Sequence, residues 1–134
     1  MESMDIYIKE RLSHVTQAAL EAYHEVIDKE AKKCYENIQD GIPVGSRKDL
    51  AHGGLKKSLK IEKVNEPGIY GYQIYFEGVN EEGIEYKTIA GWLNKGTSKI
   101  EPIRFVDKSV RKLKGLDKRI AKKFLMKIEQ LGGD

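Results

Sequence analysis

At 134 residues with 40% hydrophobic and 34% charged side chains, the chain suits one soluble domain, long enough for a core and too short for two independent ones. No apolar run approaches the ~20 residues of a membrane helix, and the acidic start Met1-Glu2-Ser3-Met4-Asp5 lacks the basic and apolar regions of a secretory signal, so the cytoplasm or a particle assembled there is expected. The single cysteine, Cys34, excludes an internal disulfide and a four-cysteine zinc site. The formal charge of +3 is uneven: residues 1–40 carry 5 basic and 9 acidic side chains, and residues 104–134 carry 10 and 4. That polarity fits two terminal helices lying against each other, attraction between subunits or partners, or plain solvated faces.

In chain order, residues 4–39 read as one long helix, because Ile8, Leu12, Val15, Ala19, Ala22 and Val26 recur at a 4-3-4-3-4 spacing. Past Val26 the stripe weakens through Glu30, Cys34 and Ile38, which predicts a narrower buried face there. Asp40-Gly41-Ile42-Pro43 supplies a stop, the glycine by tolerating left-handed dihedrals and the proline by being unable to continue the helix. Residues 41–54 are polar and glycine-bearing, with little to bury, and predict a long flexible loop.

From Leu55 the chain turns towards strands. Residues 58–65 alternate Leu59, Ile61 and Val64 with charged residues, Glu66-Pro67-Gly68 makes a turn, and Ile69–Phe76 is rich in aromatic and β-branched residues, so an antiparallel hairpin is expected. Residues 77–85 form an acidic, glycine-bearing connection. Residues 86–94 are apolar enough for a strand or for a short helix ending at Gly96. After Pro102, Val106, Val110, Leu113, Ile120, Phe124, Ile128 and Leu131 return to helical spacing, with Gly115 as a break. The predicted fold class is α+β: a long N-terminal helix, a flexible loop, a small antiparallel β-sheet over 55–101 and a C-terminal helix over 102–131, all in one domain.

The residues of catalysis do not converge in the sequence. His14 and His24 lie ten apart, about 1000° around a helix and so roughly 80° off a common face, which disfavours a shared metal. His52 beside Gly53-Gly54 has no partner acid or nucleophile at a telling spacing. Glu77, Glu81, Glu82 and Glu85 lack the pattern of a calcium loop and read as an acidic loop tip. Cys34, on a helix beside Lys32 and Lys33, reads as a half-buried apolar residue rather than a nucleophile. No enzyme, metal or cofactor is predicted. Nucleic-acid binding has more support. Arg47, Lys48, Lys56, Lys57, Lys60 and Lys63 form one basic cluster, and a second runs through Lys108, Arg111, Lys112, Lys114, Lys118, Arg119, Lys122 and Lys123. These residues fill most positions outside the apolar stripe, though, instead of forming one phosphate-facing row.

Two segments carry a resemblance. The first is Gly53-Gly54-Leu55-Lys56-Lys57-Ser58; the second runs from Trp92 through Gly96-Thr97 to Pro102 and Phe105. The C-terminal two thirds resemble the head-tail joining, tail completion or neck proteins of long-tailed phages, and in length and layout the chain is similar to the tail-to-head joining proteins of siphophages with Gram-positive hosts. In that family a loop ending in threonine, glycine, leucine and serine enters the first strand. Here Gly54, Leu55 and Ser58 match, and Gly53 stands in the threonine position. The family then has an acidic residue before a Gly-Thr pair, where this chain has Asn94 before Gly96-Thr97, and an adjacent Pro-Phe pair, here parted by Ile103-Arg104.

The resemblance implies a non-enzymatic virion protein, made in the host cytoplasm and built into the tail neck. It implies a hexameric ring that caps the tail tube and meets the head connector or stopper, with non-specific DNA contact at a basic rim and no membrane or cofactor. On this reading Gly54 turns the backbone with positive φ, and Leu55 and Ser58 anchor the loop to the sheet. The Gly96-Thr97 turn aims Pro102 and Phe105 into the core, which Trp92 also joins. Contacts with tail and connector fall to Arg47, Lys48 and Asp49 in the first loop and to Glu77, Glu81, Glu82 and Glu85 in the second, with both loops ordering on assembly.

Overall fold

The computed structural model describes residues 6–11, 17–43 and 54–131. Along the chain these form β1 (Ile6–Arg11), α1 (Gln17–Gly41), α2 (Gly54–Ser58), β2 (Leu59–Lys63), β3 (Ile69–Phe76), α3 (Tyr86–Lys95), α4 (Phe105–Arg111) and α5 (Leu116–Leu131). The fold is α+β, with a long helix between the first strand of the sheet and the other two, and a helical C-terminus. The predicted loop falls mostly on residues 44–53, outside the described residues.

The expected hairpin is present. β2 and β3 pair antiparallel with Leu59 opposite Phe76 and Ile61 opposite Ile74. Their turn is closed by Ile69 N–H donating to the Glu66 carbonyl at 3.1 Å, with Gly68 at φ 74°. The sheet has a third strand that the helical reading of 4–39 missed: β1 pairs antiparallel with β3, Ile8 opposite Tyr72, giving the order β1-β3-β2. Ile6-Tyr7-Ile8 is β-branched and aromatic, and pairing it covers an edge of β3 that would otherwise expose unpaired backbone groups. The 4-3-4-3-4 spacing therefore ran across two different elements, and its members Leu12 and Val15 lie outside the described residues.

The buried stripe of α1 shares Ala22, Cys34 and Ile38 with the predicted one and otherwise runs along a neighbouring face. Tyr23, Ile27, Ala31, Cys34 and Ile38, with Ile42 just beyond the helix, are buried at a 4-4-3-4-4 spacing, whereas Val26 and Glu30 are only half-buried. Far from weakening, the core face deepens along the second half of the helix. At its end Gly41 is not left-handed; a Cβ there would sit 2.8 Å from the Cβ of Phe105, so the glycine permits close approach of α4.

Against this stripe pack Leu55, Leu59, Ile74, Phe76, Ile89, Ala90, Leu93, Phe105 and Val106. Residues 86–94 are helical, one face of α3 burying Ile89, Ala90 and Leu93. The C-terminal region is two helices meeting at an elbow around Gly115 (φ 85°). The elbow falls at the break expected at Gly115, and of the predicted stripe Val110 is left 38% exposed. The second helix, α5, lies along α1.

Candidate functional site

Both motif-bearing segments, about thirty residues apart in sequence, adjoin α3: α2 packs against it, and the second segment begins in its last turns. Gly54 does not adopt positive φ; a Cβ there would lie 2.6 Å from the hydroxyl oxygen of Tyr86, the first residue of α3, whose side chain tip therefore packs onto the bare glycine. Leu55 is fully buried in the core. Ser58 is buried too; its hydroxyl donates to the Leu55 carbonyl at 2.6 Å, and its own carbonyl accepts Glu77 N–H at 2.9 Å. So the motif is a short helix that enters β2 and ties it to the end of β3.

At the far end of α3, Gly96 does adopt positive φ (81°), and its N–H donates to the Trp92 carbonyl at 2.7 Å. A Cβ at Gly96 would come within 2.9 Å of the Ile100 carbonyl and of Pro102 Cδ, so glycine is required twice over. Thr97 closes the turn, its hydroxyl oxygen accepting Lys99 N–H at 3.2 Å and Ile100 N–H at 3.1 Å. Beyond it, Ile103 N–H reaches the Leu93 carbonyl at 2.8 Å and Arg104 N–H the Asn94 carbonyl at 3.1 Å. Phe105 enters the core as expected, 6.3 Å from Phe76 in an edge-on arrangement. Pro102 and Trp92 do not: Pro102 is exposed, and Trp92 is 39% exposed.

The residue that organises this corner is Asn94, which the sequence marked only as a substitution for an acid. It is 1% exposed, and its side-chain oxygen accepts the N–H groups of Val106 (3.0 Å) and Asp107 (3.1 Å), while its amide donates to the Asp107 carboxylate at 3.1 Å. It thus caps α4 from another helix, satisfying donors that every helix start leaves open. An amide suits the place because an acid would face Asp107. Arg104, at φ 57°, makes no side-chain cap.

Of the predicted contact residues, Arg47, Lys48 and Asp49 lie outside the described residues, as do His14 and His52. Glu77, Glu81, Glu82 and Glu85 are all exposed. Their loop is closed within the subunit: the Asn80 side-chain oxygen accepts Glu82 and Ile84 N–H at 2.9 Å each, and Tyr86 N–H donates to the Gly78 carbonyl at 3.0 Å. It therefore needs no partner to set its shape. Among the described residues no three His, Cys, Asp or Glu side chains converge on a metal position.

Tyr70 and Tyr72, which share a face of β3, both donate to one carboxylate oxygen of Asp28 on α1 at 2.5 Å. His24 stacks on Tyr70 with centroids 3.8 Å apart. Burial, then the Asp28 carboxylate, raises both phenols above the usual tyrosine range, so they remain protonated donors. The cluster clamps α1 to the sheet. Its one sequence signal was the i, i+2 tyrosine pair. Burial, followed by the nearby Glu30 charge, pushes the Cys34 thiol up to about 11, which makes it a neutral core group.

Opposite charges of the terminal helices pair within the chain. Lys127 meets Glu25 at 2.7 Å and Glu21 at 4.0 Å, Lys123 meets Glu25 at 3.3 Å, and Arg119 binds Glu30, an ascending-against-descending order that makes α5 antiparallel to α1. No protein-family model, no curated protein and no solved structure matches the chain.

Proposed function

We propose that the protein is a non-enzymatic virion assembly protein that forms a ring at the top of a phage tail and joins the completed tail to the head connector. The observation that carries this reading is that both motif segments adjoin one helix, α3, with Gly54 against Tyr86 at its start and the Gly96-Thr97 turn at its end. The same helix leaves Trp92 exposed beside that turn, and a solvent-facing tryptophan is a frequent anchor in protein interfaces. The acidic loop 77–85 adds a second, charged surface for the tail tube or connector.

The test is electron microscopy of lysates from a phage whose gene for this chain carries an early stop codon. Full capsids and normal-length tails lying unattached support joining. Overlong tails show termination of the tube as well, and intact infectious particles defeat the reading. A second reading, a small nucleic-acid-binding or host-inhibiting phage protein, is favoured by Lys108, Arg111, Lys112, Lys114 and Lys118, which have no carboxylate partner among the described residues. DNA affinity that survives moderate salt would move this reading ahead, whereas weak affinity abolished by salt supports the structural role.

A further inference from the structure

A cleft of about 270 Å³ lies between the middle of α1 and the α4–α5 elbow. Its polar wall is Lys33 and Asn37 of α1, Lys112 of the elbow and Arg119 of α5, with Glu30 as its acid and Leu113 and Cys34 as its apolar floor. Three cations against one carboxylate leave a formal +2. Lys33 and Lys112 have no carboxylate partner, and the Asn37 amide no hydrogen-bond partner, among the described residues.

Arg119 is the unusual member. Its Nη1 donates to the Lys114 carbonyl at 3.0 Å, and its Nη2 donates to the Lys112 carbonyl at 3.3 Å and to Glu30. Its Nε–H is buried and has no acceptor. A buried donor left unpaired costs stability, and with Nε shut off from solvent the lining groups open to an incoming acceptor are the Lys33 and Lys112 ammoniums and the Asn37 amide.

We propose that this cleft binds a phosphate group, either free or as part of a nucleic-acid backbone. Phosphate offers several oxygens to donors that arrive from different directions, here two ammonium groups and an amide. At neutral pH a free phosphate carries about −1.5 to −2 and a backbone phosphodiester one negative charge, both drawn by the positive excess on the wall. The low-dielectric floor strengthens that attraction relative to open solvent. The site does not depend on the tail-joining reading, since it rests on groups outside both motif segments.

The experiment is an NMR titration of the isotope-labelled full chain with inorganic phosphate, ionic strength held constant with sodium chloride. The signals followed are the Arg119 Nε–Hε and the amides of Asn37, Lys112 and Leu113. A saturable shift at these positions is expected, weakened about tenfold in the Lys33→Ala, Lys112→Ala double variant through loss of two charge-assisted contacts. The Lys56→Ala, Lys60→Ala variant should bind as the natural chain does. Lys112 is exposed and Lys33 is exposed, so the double variant keeps the core; its unshifted spectrum at Leu93 and Phe105 checks this.

A linear, non-saturating drift, or equal affinity in both double variants, overturns the proposal. A parallel titration with a short DNA duplex identifies the source. Loss of duplex affinity in the Lys33→Ala, Lys112→Ala variant assigns the nucleic-acid backbone, and loss of inorganic-phosphate binding with duplex affinity unchanged assigns a free phosphate.

Discussion

Helix α1 is used twice, and its two sides are held by different physics. Towards the sheet and α3 it buries Ile27, Ala31, Cys34 and Ile38 against Leu55, Ile74, Ile89 and Leu93, each at most 2% exposed. Towards α5 it meets Leu116 and Ile120, which are only partly buried, and the row Glu21, Glu25 and Glu30 facing Lys127, Lys123 and Arg119. Among the described side chains of α5 none is fully buried, and Leu125 and Met126 are 59% and 45% exposed. The first side is a core in the ordinary sense, insensitive to salt. The second depends on ionic contacts that water and salt weaken, so α5 should open before the rest.

The largest effect that could break this contrast is a cavity in the core. Ile74→Ala on the central strand should cost about 2–5 kcal/mol, and Ile120→Ala on α5 clearly less, because the half-exposed site can take in water. Urea unfolding of both variants checks the order; an equal or larger loss at Ile120 would show that α5 belongs to the main core. Next comes Asn94→Ala, expected to cost about 1–3 kcal/mol, since it strips two buried N–H groups of α4 of their acceptor. Asn94→Asp restores the acceptor but places a second carboxylate beside Asp107, so it should recover only part of the loss. Full recovery would mean that the amide donor to Asp107 is dispensable.

How far the sequence revealed this arrangement depended on the range over which each residue acts. The hairpin was legible because Glu66-Pro67-Gly68 and the alternation of Leu59 and Ile61 act locally, and the elbow was legible in Gly115. β1 was not, because Ile8 fits a helical spacing and a strand pattern equally, and only the partner strand β3 decides between them. Asn94 was read as a departure from a motif because its acceptors' donors lie 12 and 13 residues downstream, on a helix whose approach no local pattern encodes. Trp92 was placed in the core by its chemistry, yet α3 turns Ile89, Ala90 and Leu93 inward and leaves the tryptophan at the rim. The charge asymmetry of the two ends was visible at once, and part of it is a contact within the chain, through Arg119, Lys123 and Lys127.

Cys34 sharpens the contrast through pH, because it sits on the core side of α1 but next to Glu30 of the ionic side. Its thiol is raised from 9.0 to about 11, burial being the larger cause. A raised value in the folded chain stabilises it fully below the unfolded value and is lost as pH climbs through the folded one. Stability should therefore fall between pH 9 and 11 more steeply in the natural chain than in Cys34→Ala, measured by urea unfolding at each pH. Parallel slopes in the two proteins would mean the thiol is not buried as described.

The smallest effect is the most diagnostic for α5. A double-mutant cycle on Glu25 and Lys127, each changed to Ala, should give a small favourable coupling at low salt, because the pair lies at the surface of the helix contact. At about 1 M salt, where the screening length is roughly 3 Å, the coupling should vanish. The same cycle on Ile27 and Leu93 should show no salt dependence, since neither side chain carries charge or meets solvent. Hydrogen exchange then reads the consequence: amides of α5 should lose protection as salt rises while those of α1 facing the sheet keep theirs. Protection of α5 that is indifferent to salt would assign its docking to Leu116 and Ile120, and the row of acids on α1 would then set the direction in which α5 lies without holding it there.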